Sequence, residues 1–550
     1  MHQNTARRLL EISDCLTVEG NLYSSQSLTS IAIIGCGASA VATLAGLIES
    51  IRNSDYQKYK ISIFEKNSNF GSGLAYQHDS DDLLMNMVSS TTSIFANRET
   101  DFWEWVVDRG HQIGSGQVMS RSGVSPDAYI SRQFFGLYLN DRLHDAISDA
   151  KKINVSVELV NHEVIDIRCR NQYFEVIDCA EHVNRFDYAI LCVGNVEPHD
   201  IFKLKGNSRY VNNPYPTNHY AMGIGKADTV GIIGGQLTAA DIAVVLAQQG
   251  HVGPIYFFTR GSNHPLVRCA REKFELIHFN LENLEVIKSR QFGEISLRQA
   301  LRLARKDFIR AGVKWNKFFN PVEHSYGDWI GHLFSKGHMY AEWQHFAVAS
   351  DAVIASYWDA LSASSKRIFM KKYHRLWMCK RVPLPVHTYL KIYSLIKAGI
   401  LNHQTPLLGI EVKTSNKFVA LISKADSSKK PVEIECDWII NATGPARSID
   451  SNCGSPLLNK LMRSGLIEAN PFGGIQLDYA TSMVKRGGKN VENFYAIGHI
   501  TSGTYYFVSS LDMVSMGAKR VARDVVNSSR QPKTPVESIC EKQFGVVNAS

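Results

Sequence analysis

Six consecutive residues, Gly35-Cys36-Gly37-Ala38-Ser39-Ala40, have the types and spacing to hold a diphosphate. They follow the unbroken apolar run Ile31–Ile34 and precede Val41, Leu44, Ala45 and Ile48, spaced i, i+3, i+4, i+7. The run is that of a strand buried in a parallel sheet; the spacing is that of a helix with one apolar face. The glycines therefore stand where a strand turns into a helix. In the form GxGxxA, Gly35 allows the tight turn, Gly37 lets backbone approach a pyrophosphate, and Ala40 keeps helix and strand close. The first N–H groups of the helix and its positive dipole end would then face the phosphates. Glu65 closes the next strand-like run, KISIFEK, where a carboxylate can accept hydrogen bonds from ribose hydroxyls.

The pattern restarts at 229 with TVGIIGGQLTAADIAVVLAQQG: strand, glycine turn and helix, with Ala239, Ile242, Ala243 and Leu246 as the apolar face. Gly234, Gly235 and Thr238 are the candidate contacts to a second dinucleotide, NADPH or NADH. Arg260, after the following strand PIYFFTRG, is placed to meet a 2′-phosphate. Gln236 stands at the second-glycine position, where a Cβ crowds a pyrophosphate. The unit therefore reads either as a nicotinamide dinucleotide site or as a fold-preserving remnant. His499 and Tyr505 lie in a glycine-flanked loop after the strand FYAIG, and His499 is the candidate proton donor. It reads equally as a structural histidine. His264, His345 and His374 show no HExxH or paired-carboxylate spacing, so no metal site is expected.

The elements that must position these residues are those of an ordinary globular chain. It has 550 residues, 44% hydrophobic and 20% charged, which excludes a disordered, collagen-like or coiled-coil protein. The formal charge of +8 is a mild excess. Two basic stretches, Arg298–Arg310 and Lys366–Arg381, read as solvated helix faces or as an anion-attracting surface. Without an RNP, zinc-finger or helix-turn-helix signature, nucleic acid is not expected as a partner. The ten cysteines form no CxxC pair, which suits a reducing compartment. No secretion or membrane segment is read, so a cytoplasmic protein is expected. Residues 295–400 read as mostly helical, and the aromatic stretch 315–377, with Trp315, Phe318 and Phe319, reads as a cavity roof, ordinary core or a dimer surface.

The ordered set GCGASA, Glu65, DYAILCVG, GIIGGQLTAAD, DWIINATG and YAIGHITSG resembles the flavoproteins with two dinucleotide-binding domains. GSGLAY with LLMNMVSS, DFWEWV, SRQFFGLYL and FMKKYHRLWMCKRVPLP narrow the resemblance to the FAD-NAD(P)-binding group. That group includes FAD-dependent urate hydroxylases and is related to flavin monooxygenases; the resemblance spans about residues 30–527. It implies an α/β fold of two Rossmann-like dinucleotide-binding domains with a mostly helical insertion. The FAD domain would comprise 29–205 and 405–527, enclosing an NAD(P)-binding-like domain at 206–404. A polar leader (1–28) and a mobile tail (528–550) flank them. The resemblance further implies that Gly35, Gly37, Ser39 and Ala40 cradle the FAD pyrophosphate and that Glu65 holds its ribose. Asn86 and Arg132 would lie near the FAD, Val164 beside the adenine, and Gly194 and Gly444 at strand ends lining it. Gly498 would pass close to the ribityl and pyrimidine end, with the N-terminus of the last helix (511–527) pointing at the ring. The implied activity is an NAD(P)H-dependent monooxygenase using molecular oxygen on a small polar molecule, at nitrogen or on a heteroaromatic ring. Two alternatives stay open: a flavin dehydrogenase or oxidase without NAD(P)H, and a non-catalytic flavin- or nucleotide-binding protein.

Overall fold

The computed structural model describes residues 28–54, 58–109, 125–171, 173–261, 265–269, 272–291, 293–315, 341–413, 416–424, 430–450 and 453–530. The leader before residue 28, the tail beyond 530, His264, Phe318 and Phe319 lie outside them.

The apolar run near the start forms β1 (Thr29–Ile34), the glycine turn follows, and the periodic stretch forms α1 (Ala38–Arg52). β2 (Tyr59–Phe64) lies parallel to β1. Helices α2 (Asp101–Arg109) and α3 (Arg132–Lys152) lead to β3 (Ser156–Val160). A three-stranded antiparallel sheet follows, of β4 (Val164–Cys169), β5 (Phe174–Asp178) and β6 (Val183–Phe186). The chain then returns as β7 (Tyr188–Leu191) beside β1.

The second unit has β8 (Tyr210–Val211), β9 (Val230–Ile233), α4 (Leu237–Gln248) and β10 (Ile255–Phe258). The expected helical insertion comprises α5 (Leu281–Ser289), α6 (Leu297–Arg310), α7 (Ala341–Ala349), α8 (Ile354–Ala360), α9 (Ala363–Lys372), α10 (His374–Arg381) and α11 (Val386–Lys397). Arg298, Arg302, Arg305, Lys306 and Arg310 line the exposed face of α6, while Leu297, Ala300, Ala304 and Phe308 are buried. The described aromatic residues Trp343, Phe346, Tyr357 and Trp358 are buried in the same core as α4, so these four are core packing. β11 (Leu401–Gln404) then joins β10. A meander of β12 (Leu407–Val412), β13 (Phe418–Ile422) and β14 (Val432–Cys436) precedes β15 (Trp438–Asn441). The chain ends with α12 (Pro456–Arg463), β16 (Met483–Arg486), β17 (Lys489–Ala496) and α13 (Leu511–Ser529).

Two sheets organise the molecule, in the orders β16-β17-β7-β1-β2-β3 and β11-β10-β9-β15-β8. The second is wholly parallel; the first is parallel apart from the β16–β17 pair. One expectation is corrected here. The segment from 405 does not return at once to the first sheet: β15 pairs with β9, register Trp438↔Val230 to Asn441↔Ile233, and the meander β12–β14 shares a core with Ile233 and Phe258. The chain re-enters the first unit only after β15. α13 closes that unit by packing on α1 through Ala518, Val521, Ala522 and Val525. Burying each valine contributes about 1.5–3 kcal/mol. A Cβ at Gly46 of α1 would lie 3.3 Å from the Ala522 Cβ, so the glycine sets how closely the two helices approach.

Candidate cofactor and active site

The two glycine turns are built alike. Gly35 and Gly234 have φ +96° and +131°, a region that favours glycine. A Cβ on Gly35 would fall on the carbonyl oxygen of Cys192, just past β7; one on Gly234 would lie 2.6 Å from that of Ala442, just past β15. Each turn is thus pressed against the end of the neighbouring strand, and each neighbour has its own positive-φ glycine two residues on, Gly194 at +72° and Gly444 at +80°. The helix caps match as well: Gly37 has φ −100°, ψ −166° and Gln236 φ −108°, ψ −159°, and neither has a side-chain capping bond.

At the first turn the N–H groups of Gly37, Ala38 and Ser39 have no acceptor among the described residues. The next N–H groups already serve the helix, Ala40 and Val41 both donating to the Gly37 carbonyl. The Glu65 carboxylate lies beside them, Oε2 accepting from the Cys36 N–H at 2.8 Å and Oε1 from the Asn67 N–H at 3.1 Å. The loop Gly71–Gly73 covers the turn, with the Gly71 N–H donating to the Cys36 carbonyl at 2.8 Å. A Cβ on Gly498, 458 positions beyond Ala40, would lie 3.0 Å from Ser39 Oγ. The two ends of the chain therefore meet at the start of α1. An uncapped helix N-terminus, a side-chain-free cap and a flanking carboxylate fit the diphosphate and ribose of a dinucleotide.

At the second turn Gln236 takes the conformation of its glycine counterpart, because φ −108° suits any residue. Its Nε2 donates to Cys379 Sγ of α10 at 3.3 Å, so the helical insertion anchors this side chain. Arg260 is exposed at the end of β10. Arg375 of α10 stands close to it: burial, then the Arg260 charge, lower the Arg375 pKa. Among the described residues neither guanidinium has a carboxylate partner. Two adjacent cations without an acidic partner beside an uncapped helix start favour a phosphate-bearing ligand. Arg375 was hidden in the sequence within a basic stretch that reads as a solvated face.

Several expected contacts have other partners. Arg132, at the start of α3, is half-buried between the two units, with Nη2 2.7 Å from Asp241 Oδ2, Nη1 donating to Tyr215 OH at 3.2 Å and Nε to the Leu84 carbonyl at 3.1 Å. Tyr215 OH in turn donates to Asp241 Oδ2 at 2.5 Å. Arg132 is thus an interdomain clamp rather than a group free to touch FAD. The Val164 side chain packs in the core near Ile167, Phe174 and Leu458, which leaves backbone rather than side chain to meet an adenine. Asn86 is half-buried next to the bridge Leu84↔Ser131. Gly444 follows a strand of the second sheet, not the first. His499 Nε2 donates to the Ala446 carbonyl at 3.0 Å, and burial pushes its pKa down. With that nitrogen engaged, the imidazole ties the loop after β15 to the loop after β17. Tyr505 OH donates to the Tyr479 carbonyl at 2.9 Å and lies 2.7 Å from Ser482 Oγ, which makes it structural too.

Beside His499 the sequence concealed a denser arrangement. The buried Arg447 guanidinium donates to three carbonyls: Phe472 at 2.8 Å, Ser502 at 2.7 Å and Tyr506 at 3.1 Å. It clamps the loop after β15 to the loop after β17. Tyr506 is held at φ +64° with its OH 3.1 Å from His374 Nδ1, and its ring centroid is 4.8 Å from that of Trp358. Trp358 Nε1 donates to the Gly503 carbonyl at 2.8 Å. Burial first, and the Arg447 charge second, lower the His374 pKa to about 4. The insertion thus covers the segment 499–507 with Trp358, His374 and the Arg381 guanidinium, which lies 4.7 Å from the Phe507 ring centroid. Single side chains from distant loops leave no periodic trace, and so no sequence signal marks this cluster.

Residues 32–196 match the model of a family described as FAD-NAD(P)-binding. No curated protein matches the sequence significantly. Among solved structures the chain is similar to the ornithine N-hydroxylase of Kutzneria sp. 744, determined with reduced FAD, NADP+ and L-ornithine. That pair shares 12% identity over 92% of this chain and 100% of the other, with TM-score 0.53. L-lysine 6-monooxygenase from Pseudomonas syringae is 13% identical over 91% and 99%, with TM-score 0.55. The ornithine hydroxylase of Pseudomonas aeruginosa is 14% identical over 92% and 100%, with TM-score 0.52. At such identities the likeness is one of fold. Residues 32–196 thus resemble the FAD-NAD(P)-binding family, in a chain with the α/β fold of these hydroxylases.

Proposed function

We propose that the protein is an FAD-dependent, NAD(P)H-consuming monooxygenase that uses molecular oxygen to hydroxylate a nitrogen of a small polar amine. The observation that carries this reading is the pair of like-built, uncapped glycine turns, one per sheet. The fold extends over the full length of the ornithine and lysine hydroxylases, which supports N-hydroxylation over ring hydroxylation. In this reading the backbone of Gly37, Ala38 and Ser39, with Gly498 close by, holds the FAD diphosphate, and Glu65 its adenosine ribose. The start of α4 at Leu237 and Thr238, with Gly234 and Gly235, receives the second diphosphate. Arg260 and Arg375 take a 2′-phosphate, which favours NADPH over NADH.

FAD held by these residues would supply hydride acceptance from NAD(P)H and oxygen activation. The chain's own residues arrange the reacting groups and keep them dry. Arg447 fixes the loops that carry Phe472 and Tyr506, and Trp358 with Tyr506 excludes water from the segment beside Gly498. No nucleophilic side chain is needed. Ten scattered cysteines with no CxxC pair support a reducing, cytoplasmic setting; among the described residues no helix is long and apolar enough to cross a membrane.

The test is anaerobic mixing of the FAD-loaded protein with NADPH and NADH, then aerobic turnover with a panel of small amines and assay for hydroxylamine. Bleaching by NADPH and amine-dependent hydroxylamine support the proposal. A flavin bleached only by candidate substrates favours a dehydrogenase or oxidase, and a flavin inert to all of them favours a non-catalytic binder.

A further inference from the structure

Away from the glycine turns, three ligating side chains converge at one end of the small antiparallel sheet. His162 precedes β4, Asp178 ends β5, and His182 precedes β6. Both imidazoles direct Nδ1 at the same carboxylate oxygen: Asp178 Oδ2 lies 2.7 Å from His162 Nδ1 and 3.1 Å from His182 Nδ1. The rings stack with centroids 5.6 Å apart and planes 24° apart, and the three potential ligand atoms lie within 4.8 Å of one another.

The carboxylate is prepared for an ion. Its other oxygen, Oδ1, accepts the N–H groups of Ala180 at 2.9 Å and His182 at 3.0 Å. The Asp178 side chain is 1% exposed, while His162 and His182 are 39% and 63% exposed. The turn is pinned as well, with the Cys179 N–H donating to the Glu163 carbonyl at 2.8 Å. The site thus combines a fixed, oriented carboxylate with two solvent-accessible imidazoles, and orientation of a ligand by such outer bonds strengthens metal binding.

We propose that His162, Asp178 and His182 bind one first-row divalent cation of the imidazole-preferring class, such as zinc or cobalt, with water completing the coordination. Metal–ligand distances near 2.0–2.2 Å need ligand atoms about 3.3 Å apart; the two Nδ1–Oδ2 spacings are 2.7 and 3.1 Å and all three atoms lie within 4.8 Å, so small side-chain rotations would admit the ion. Coordination through Nδ1 leaves the ring proton of each imidazole on Nε2. The ion would clip the start of β4 to the β5–β6 hairpin. That start is tied to the first glycine turn, since the Glu65 N–H donates to the Val160 carbonyl at 2.9 Å and Asn161 Nδ2 donates to the Glu65 carbonyl at 3.0 Å. The role is structural and independent of the proposed oxidation chemistry.

The competing account is a carboxylate shared by two hydrogen-bonding histidines with no ion. Titrating cobalt into untagged, metal-stripped full-length protein separates them through the visible cobalt spectrum. The proposal expects saturation at one cobalt per chain, displacement by zinc, and affinity at least about tenfold weaker in H162Q/H182Q. Glutamine at both positions can still donate to Asp178 Oδ2, so that variant should keep its fold, checked by circular dichroism and FAD uptake. Asp178→Asn keeps an oxygen for the two backbone N–H groups and should also lose cobalt. No saturable spectrum in the wild type, or one undiminished in H162Q/H182Q, overturns the proposal.

Discussion

Replacing Gly37 by alanine separates ligand binding from folding. Its φ of −100° is open to any residue, and the added Cβ would lie 3.6 Å from Gly73 Cα, an ordinary contact. Exchanging glycine for alanine at a helix cap costs under about 1 kcal/mol, partly offset by the lower entropy of the unfolded chain. The same methyl stands where the diphosphate must touch backbone. Crowding of that kind costs about 1–3 kcal/mol, which converts to about 5- to 150-fold weaker FAD binding. Gly35→Ala is the contrasting control. A side chain at φ +96° costs about 1–2 kcal/mol, and a Cβ on the Cys192 carbonyl oxygen adds about 1–3 kcal/mol, so the FAD-free protein itself should be destabilised. FAD fluorescence titration of the stripped proteins, with thermal melts of each, reads both effects. G37A with unchanged melting and an FAD Kd within about twofold of wild type would refute the placement of the diphosphate.

Removing one charge-assisted contact by Arg260→Ala should raise the NADPH concentration needed for half-maximal flavin bleaching by about 10- to 100-fold, with NADH little affected; equal effects on both nucleotides would count against a 2′-phosphate site. Gln236→Gly should lower the NADPH Kd in calorimetry if its side chain crowds the second diphosphate, and an unchanged value argues against crowding. Asp241→Ala strands the half-buried Arg132 charge and should cost about 3–5 kcal/mol in urea unfolding; a loss below about 1 kcal/mol would contradict the interdomain clamp. His374, at about pKa 4 in the fold against about 6.5 unfolded, binds its proton more weakly when native. Stability is then lost as pH falls from about 6.5 towards 4, by about 2 kcal/mol between pH 7 and 5. His374→Gln should flatten that limb of the stability–pH curve, and an unaltered curve would show that His374 does not drive it.

Local rules made the scaffold legible. Glycine at 35 and 234, apolar runs before them and helical spacing after them describe a strand–turn–helix whatever surrounds it, and Glu65 follows from its place at the next strand end. Pairing between distant strands was not legible: DWIINATG reads as a buried parallel strand in either sheet, and only its register with Val230–Ile233 decides which. Arg132 and Asp241 are 109 positions apart, and nothing local to either names the other. Arg447, Trp358 and Tyr506 meet because separate loops converge, as do His162, Asp178 and His182 across a hairpin. Gln236 looked like a defect because the sequence shows a missing glycine but not the unstrained φ that tolerates a side chain there.

The central claim is that the start of α1 receives the diphosphate of an FAD that NADPH reduces. Anaerobic stopped-flow mixing of purified, FAD-reconstituted protein with NADPH tests it most directly. The account predicts a yellow protein whose flavin absorbance bleaches on mixing and returns when oxygen is admitted. A correctly folded, colourless protein that takes up no FAD in calorimetry would contradict it.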